Sequence, residues 1–148
     1  METLFSSQMH PVQVTACEQL APKLKKIRFA GDLSRAPFKP GQVVEFRVGD
    51  TAFRHYTPSF YDQEAGICEV LFYLHGLGPG SEWASKLVIG DQTKLMGPGG
   101  KMSFQAKSDR HFFFGDESSL GLCAMLQAAA DKERQEYQCL LELEKEHE

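Results

Sequence analysis

Residues 43–48 read Val-Val-Glu-Phe-Arg-Val, an alternation of apolar and polar side chains that marks a half-buried β-strand. The same period recurs through the first two thirds of the chain. Residues 12–17 alternate and are rich in Val and Thr, and residues 24–29 form a second run closed by Ala30-Gly31-Asp32. The turn signal Pro40-Gly41 precedes the 43–48 run and Gly49-Asp50 follows it, leading into a strand over 51–57. Residues 67–74 place Cys68, Val70 and Phe72 on one face and Glu69, Leu71 and Tyr73 on the other. A further strand starts at 93–96 and ends at Gly97-Pro98-Gly99-Gly100, read as a tight connection between domains. Short strands with regular turns predict a closed barrel or a sandwich. One helix interrupts them over 82–87, with Gly80-Ser81 as its cap and Gly90-Asp91 as its end.

The period changes after residue 107. His111-Phe112-Phe113-Phe114 is continuously apolar, as a parallel strand buried on both faces requires. Gly115-Asp116-Glu117-Ser118-Ser119 then opens a helix over 120–132, and a strand-like run follows at 137–143. Strand, turn, helix, strand is one βαβ unit. Two parallel strands are not stable alone. The expectation is therefore the beginning of a nucleotide-binding domain: a fragment, a short gene product, or a chain whose sheet a partner copy completes. The acidic residues 142–148 are expected to fray.

The 148 residues carry 16 basic and 20 acidic side chains, a net charge of −4. No basic face suited to nucleic acid results. The one cluster, Lys23-Leu24-Lys25-Lys26, is expected to decorate a solvated hairpin. Cys17, Cys68, Cys123 and Cys139 show no C-x-x-C spacing, which argues against zinc and for free thiols. The five histidines lack metal-ligand spacing, and no serine has a G-x-S-x-G context. No basic segment followed by an apolar stretch opens the chain, and no apolar run approaches membrane-spanning length. These features predict a reduced, cytoplasmic protein without membrane insertion.

Candidate chemistry concentrates in two segments. In Arg54-His55-Tyr56-Thr57-Pro58-Ser59, Arg54 is a fork donor for phosphate. Tyr56 lies on the same strand face and can cover a flat heterocycle, while Thr57 reaches a ring edge if the strand bends. A surface Arg beside a core Tyr accounts for the same residues equally well. In Leu74-His75-Gly76-Leu77-Gly78-Pro79-Gly80-Ser81-Glu82-Trp83-Ala84, glycines and a serine open a helix toward an anion. Trp83 reads better as a packing anchor than as a ligand contact, and His75 is either structural or laid against a ligand. Together the segments suit a ligand with a diphosphate and a heteroaromatic ring, a flavin above others. Gly115-Asp116-Glu117 is not G-x-G-x-x-G; its acids suit helix capping, or contacts to hydroxyls or a neutral ring.

The order R-x-Y-T, L-H-x-x-G-P-x-S-x-W-A, G-P-G-G and G-D-E-S-S-L-G resembles the siderophore-interacting protein family, flavin-dependent ferric-siderophore reductases of the ferredoxin–NADP reductase superfamily. The resemblance covers about residues 9–143. It implies a mainly β chain, with a six-stranded antiparallel FAD-binding β-barrel over 1–107 and the first part of an α/β NAD(P)H-binding domain over 108–148. In that family's pattern Arg54, Gly80 and Ser81 would hold the FAD diphosphate. Tyr56 would pack on the isoalloxazine and Thr57 would bond near its reactive nitrogen. His75 would lie along the strand, and the turn of Asp116 and Glu117 would face the site. The candidate set is completed by His55, Gly78 and Trp83, with no catalytic side chain and no metal ligand. The implied activity passes a hydride from NADH or NADPH to flavin, then single electrons to a ferric siderophore, releasing ferrous iron. A flavin reductase serving a protein acceptor, and a non-catalytic β-barrel module, are the alternatives. Family members continue for several strands past the end of this chain.

Overall fold

The computed structural model describes residues 9–100, 104 and 107–143; of the end expected to fray, residues 144–148, His147 among them, lie outside these, whereas Glu142 is ordered as the last residue of a strand and pairs with Asp116. Seven strands build one antiparallel sheet: β1 (Met9–Ala21), β2 (Leu24–Gly31), β3 (Val43–Arg47), β4 (Phe53–Tyr56), β5 (Phe60–Asp62), β6 (Ile67–Tyr73) and β7 (Gln92–Gly99). Their order is β4-β3-β7-β1-β2-β6-β5. The six expected strands all form. The seventh, β5, is only three residues long and pairs Phe60 with Glu69 and Asp62 with Ile67. No alternation is readable over so few positions.

The sheet curls on itself. Strands β2 and β3 stand three places apart, about 14 Å if the sheet were flat. Yet the rings of Phe29 on β2 and Phe46 on β3 stack with centroids 4.7 Å apart. Tyr56 on the edge strand β4 comes equally close to Phe72 on β6, five strands away, at 4.7 Å. Only a barrel-like wrap brings these rings together. They occupy its interior with Ile27, Val44, Val70 and Leu95, all buried. On β6 the expected face holds: Cys68, Val70 and Phe72 are buried, and the residues between them are partly exposed.

The Gly97-Pro98-Gly99 stretch is strand, not turn. It extends β7, and Val43 of β3 pairs with Gly99. Pairing with β3 draws these residues into the sheet despite their turn-forming composition.

Helix α1 (Gly78–Lys86) lies against the barrel, with the Trp83 ring 5.3 Å from Phe46 and 6.0 Å from Phe72. The lysine cluster divides. Lys26 pairs in solvent with Glu18 at 3.0 Å, as a solvated hairpin requires. Lys25 is instead buried, its ammonium drawn under α1.

A second sheet pairs β8 (Arg110–Asp116) in parallel with β9 (Glu136–Glu142), joined through a 3-10 turn (Glu117–Ser119) and α2 (Leu120–Lys132). This is the expected βαβ unit, and α2 has the expected bounds. The expected burial of both faces of β8 does not hold. Its exposure alternates, with Phe112, Phe114 and the neighbouring Leu140 open, because α2 covers one face only. A second correction concerns the thiols. Cys123 of α2 and Cys139 of β9 form a disulfide, brought together by the packing of helix on strand rather than by sequence spacing. Cys68 is a free, buried thiol, and Cys17 is also free. No helix among the described residues is long and apolar enough to cross a membrane.

Candidate functional site

The antiparallel register of β3 and β4 sets Phe46 beside Arg54, Glu45 beside His55 and Val44 beside Tyr56. Arg54 and Tyr56 therefore share one face of β4, and both line a cavity of about 220 Å³. Its other walls include Tyr73, His75, Gly78, Gly80 and Ser81. Burial pushes the Tyr56 phenol up to about 12, with the Arg54 charge opposing. Arg54 is exposed, and one of its nitrogens donates to the Phe53 carbonyl at 2.8 Å.

Helix α1 starts at Gly78, two residues before the expected Gly80-Ser81 cap. Leu77 holds the capping position in extended backbone and offers no side-chain oxygen. The amides of the first turn therefore have no side-chain cap, the arrangement that receives anions. Pro79 fits there because the first turn needs no donor from it. Ser81 does not cap the helix; its Oγ accepts from the Gly76 amide at 2.9 Å. The His75 ring acts likewise, Nδ1 accepting from the Leu77 amide at 3.0 Å. Both side chains hold the loop that delivers Gly78, whose φ of 84° favours glycine. A β-carbon there would meet nothing within 4 Å, so the turn is open. A neighbouring cleft of about 660 Å³, along Leu74, Gly76, Pro79, Glu82 and Ser85, shares Gly78 and Ser81 with the cavity.

The remaining candidates lie around this centre. His55 borders the cavity, but its Nε2 meets Glu45 Oε2 at 2.6 Å. Trp83 packs in the barrel. Thr57 follows β4, and the second unit comes up against it: a β-carbon on Gly121 would stand 2.8 Å from the Thr57 carbonyl oxygen. Asp116 Oδ1 accepts from the Ser118 amide at 2.9 Å and caps the 3-10 turn, while Glu117 is buried. Sequence reasoning missed Tyr73 as a wall, Glu45 as the partner of His55, and Gly121 as the contact with Thr57. Glu45 carried no signal: the alternation of 43–48 put it on the polar face with Arg47, yet it is buried.

The site suits a diphosphate with an attached aromatic system: a fork cation, a side-chain-uncapped helix start and an aromatic wall converge on one cleft. Residues 45–102 match the family model of the siderophore-interacting FAD-binding domain. The ferric vibriobactin reductase ViuB of Vibrio cholerae is 32% identical over 92 residues, which are 62% of this chain and 34% of that protein. The chain thus spans about a third of that relative's length. The structure of a siderophore-interacting protein from Acinetobacter baumannii superposes with a TM-score of 0.80 at 16% identity, covering 95% of this chain and 61% of that one. The ferredoxin reductase of carbazole 1,9a-dioxygenase gives 0.83 at 20% identity, covering 92% and 43%. Fold and match point to one class: the fold is that of the FAD-binding part of ferredoxin-reductase-type proteins, and residues 45–102 resemble a FAD-binding domain. Within that class the chain resembles the siderophore-interacting proteins, as its motifs indicated.

Proposed function

We propose that this chain is the flavin module of a ferric-siderophore reductase, with residues 1–107 as the FAD domain and 108–148 as the start of the NAD(P)H domain. The observation that carries the reading is the convergence of Arg54, Tyr56 and the first turn of α1 on one cavity. Arg54 and the amides around Gly80 and Ser81 receive the diphosphate. The Tyr56 ring supports the isoalloxazine, and Thr57 offers its hydroxyl and backbone at the ring edge. His75 and Gly78 shape the loop. Trp83 fixes the helix from behind, and His55 braces β4 through Glu45. Bound FAD supplies the hydride-accepting and electron-donating chemistry; the chain orients it and shields it from water. NADH or NADPH is the donor and a ferric siderophore the acceptor. The turn at Asp116 and Glu117 stands between the two units on the donor side. The face of β8 and β9 that carries Phe112, Phe114 and Leu140 is left open to a covering layer.

The test is a visible absorption spectrum of the purified protein with added FAD, before and after desalting. Flavin bands that stay with the protein, and bleach with NADH or NADPH, support the reading. A folded protein that takes up no FAD overturns it. Full reduction that reoxidises with a protein acceptor but not with a ferric siderophore transfers the reading to the related reductases.

A further inference from the structure

Lys25 is only 9% exposed, yet its ammonium is paired with carbonyls rather than with a carboxylate. From β2 it donates to Ala84 at 3.0 Å, Ser85 at 3.3 Å and Leu87 at 2.6 Å. Ala84 and Ser85 belong to the last turn of α1 and Leu87 is its C-cap, so these carbonyls form the negative pole of the helix; Ala84 O also accepts from the Leu87 amide at 3.4 Å and Leu87 O from Cys17 Sγ at 3.7 Å. The other end of the same helix is the anion-receiving turn, about 13 Å away at helical rise. One residue joins the two functions: Ala84 gives its carbonyl to Lys25 and lines the cavity with Arg54 and Tyr56. The fit at the front is close, because a β-carbon on Gly80 would stand 2.6 Å from the Tyr56 hydroxyl. A small slide of α1 along its axis therefore alters the cleft.

We propose that Lys25 is a positioning residue for the cofactor site: its ammonium clamps the rear of α1 and fixes where the front turn stands against Arg54 and Tyr56. The inference rests on the reading of this cleft as the FAD site, and its test separates the two.

The experiment compares wild type, Lys25→Met, Lys25→Arg and, as a surface control, Lys26→Met. Amide hydrogen exchange at Gly80, Ser81 and Ala84 is measured without FAD, and FAD affinity by titration of the folded proteins. Lys25→Met, which removes all three bonds to the rear of α1, is expected to speed exchange at these amides and raise the FAD Kd roughly tenfold. Lys25→Arg recovers most of both, and Lys26→Met changes neither. A folded Lys25→Met with unchanged FAD Kd, whatever its melting temperature, overturns the proposal, because a merely structural lysine lowers stability alone. So does unchanged exchange at the front turn. Should wild type bind no FAD, the flavin reading falls and the exchange comparison decides the clamp. Should Lys25→Met not fold, Lys25→Gln, which keeps a donor without the charge, carries the same comparison.

Discussion

The Tyr56 hydroxyl occupies the space that a β-carbon on Gly80 would need, 2.6 Å away. The contact ties the aromatic wall to the helix whose uncapped first turn opens on the cleft. It explains a glycine inside a helix, where alanine would otherwise be favoured by about 1 kcal/mol. Gly80→Ala is expected to weaken FAD binding by about 1–2 kcal/mol, since overpacking must displace the phenol or the helix. Tyr56→Phe removes the clashing oxygen, so the double variant should recover most of that loss. A double-mutant cycle of FAD titrations reads the coupling directly; additive losses would contradict this account of Gly80.

Arg54 supplies the fork cation of the cleft. Arg54→Ala is expected to weaken FAD affinity by about 1.5–3 kcal/mol, the value of a hydrogen bond to a charged group. Arg54→Lys should restore only part, because a point charge does not reproduce the bidentate contact. Equilibrium titration of the folded variants checks both.

Gly121 lets α2 approach the strand end at Thr57, where a β-carbon would stand 2.8 Å from a backbone oxygen. Backbone yields less readily than a side chain. Gly121→Ala is expected to cost about 1–3 kcal/mol of stability, seen in urea unfolding, and to lower FAD affinity with it. Unchanged values for both would show that the second unit approaches Thr57 with slack.

His55 and Glu45 make a different kind of pair. Glu45 is 3% exposed, and its Oε1 has no hydrogen-bond partner among the described residues. His55→Ala takes the partner from Oε2 as well, and should cost about 1–3 kcal/mol in urea unfolding. FAD affinity of the folded variant should hold. A loss of affinity larger than the loss of stability would instead make His55 a cofactor contact.

Tyr56 gives a pH signature. Its pKa rises from the ordinary 10 to about 12 on folding, chiefly through burial. Between these values the unfolded chain loses the proton and the folded chain keeps it. Stability from this group is full below pH 10 and is lost as pH rises toward 12. Burial pushes Tyr61 and Tyr137 the same way. Phenolate absorbance should therefore lag well behind four free tyrosines at pH 10.5. A Tyr56→Phe variant should lose less stability across that window than wild type.

The sequence by itself determined most of the strands and both α-helices, and in β4 and β6 which side chains share a face. These follow from local periods: two residues per repeat in β6, a glycine turn before α2, and the i, i+2 spacing of Arg54 and Tyr56. What the tertiary structure decided depends on partners far along the chain. Lys25 looked like any hairpin lysine until residues 59 to 62 positions later set three carbonyls over it. Gly97-Pro98-Gly99 became strand because β3 pairs with it, and Cys123 met Cys139 because a helix packs on its own sheet. The cleft itself is of this kind. Arg54 and Gly80 meet only because a sheet that could have lain flat wraps round a core of stacked rings and presses α1 against β4. Periodicity fixes the direction of a side chain; curvature and close packing decide what it finds there.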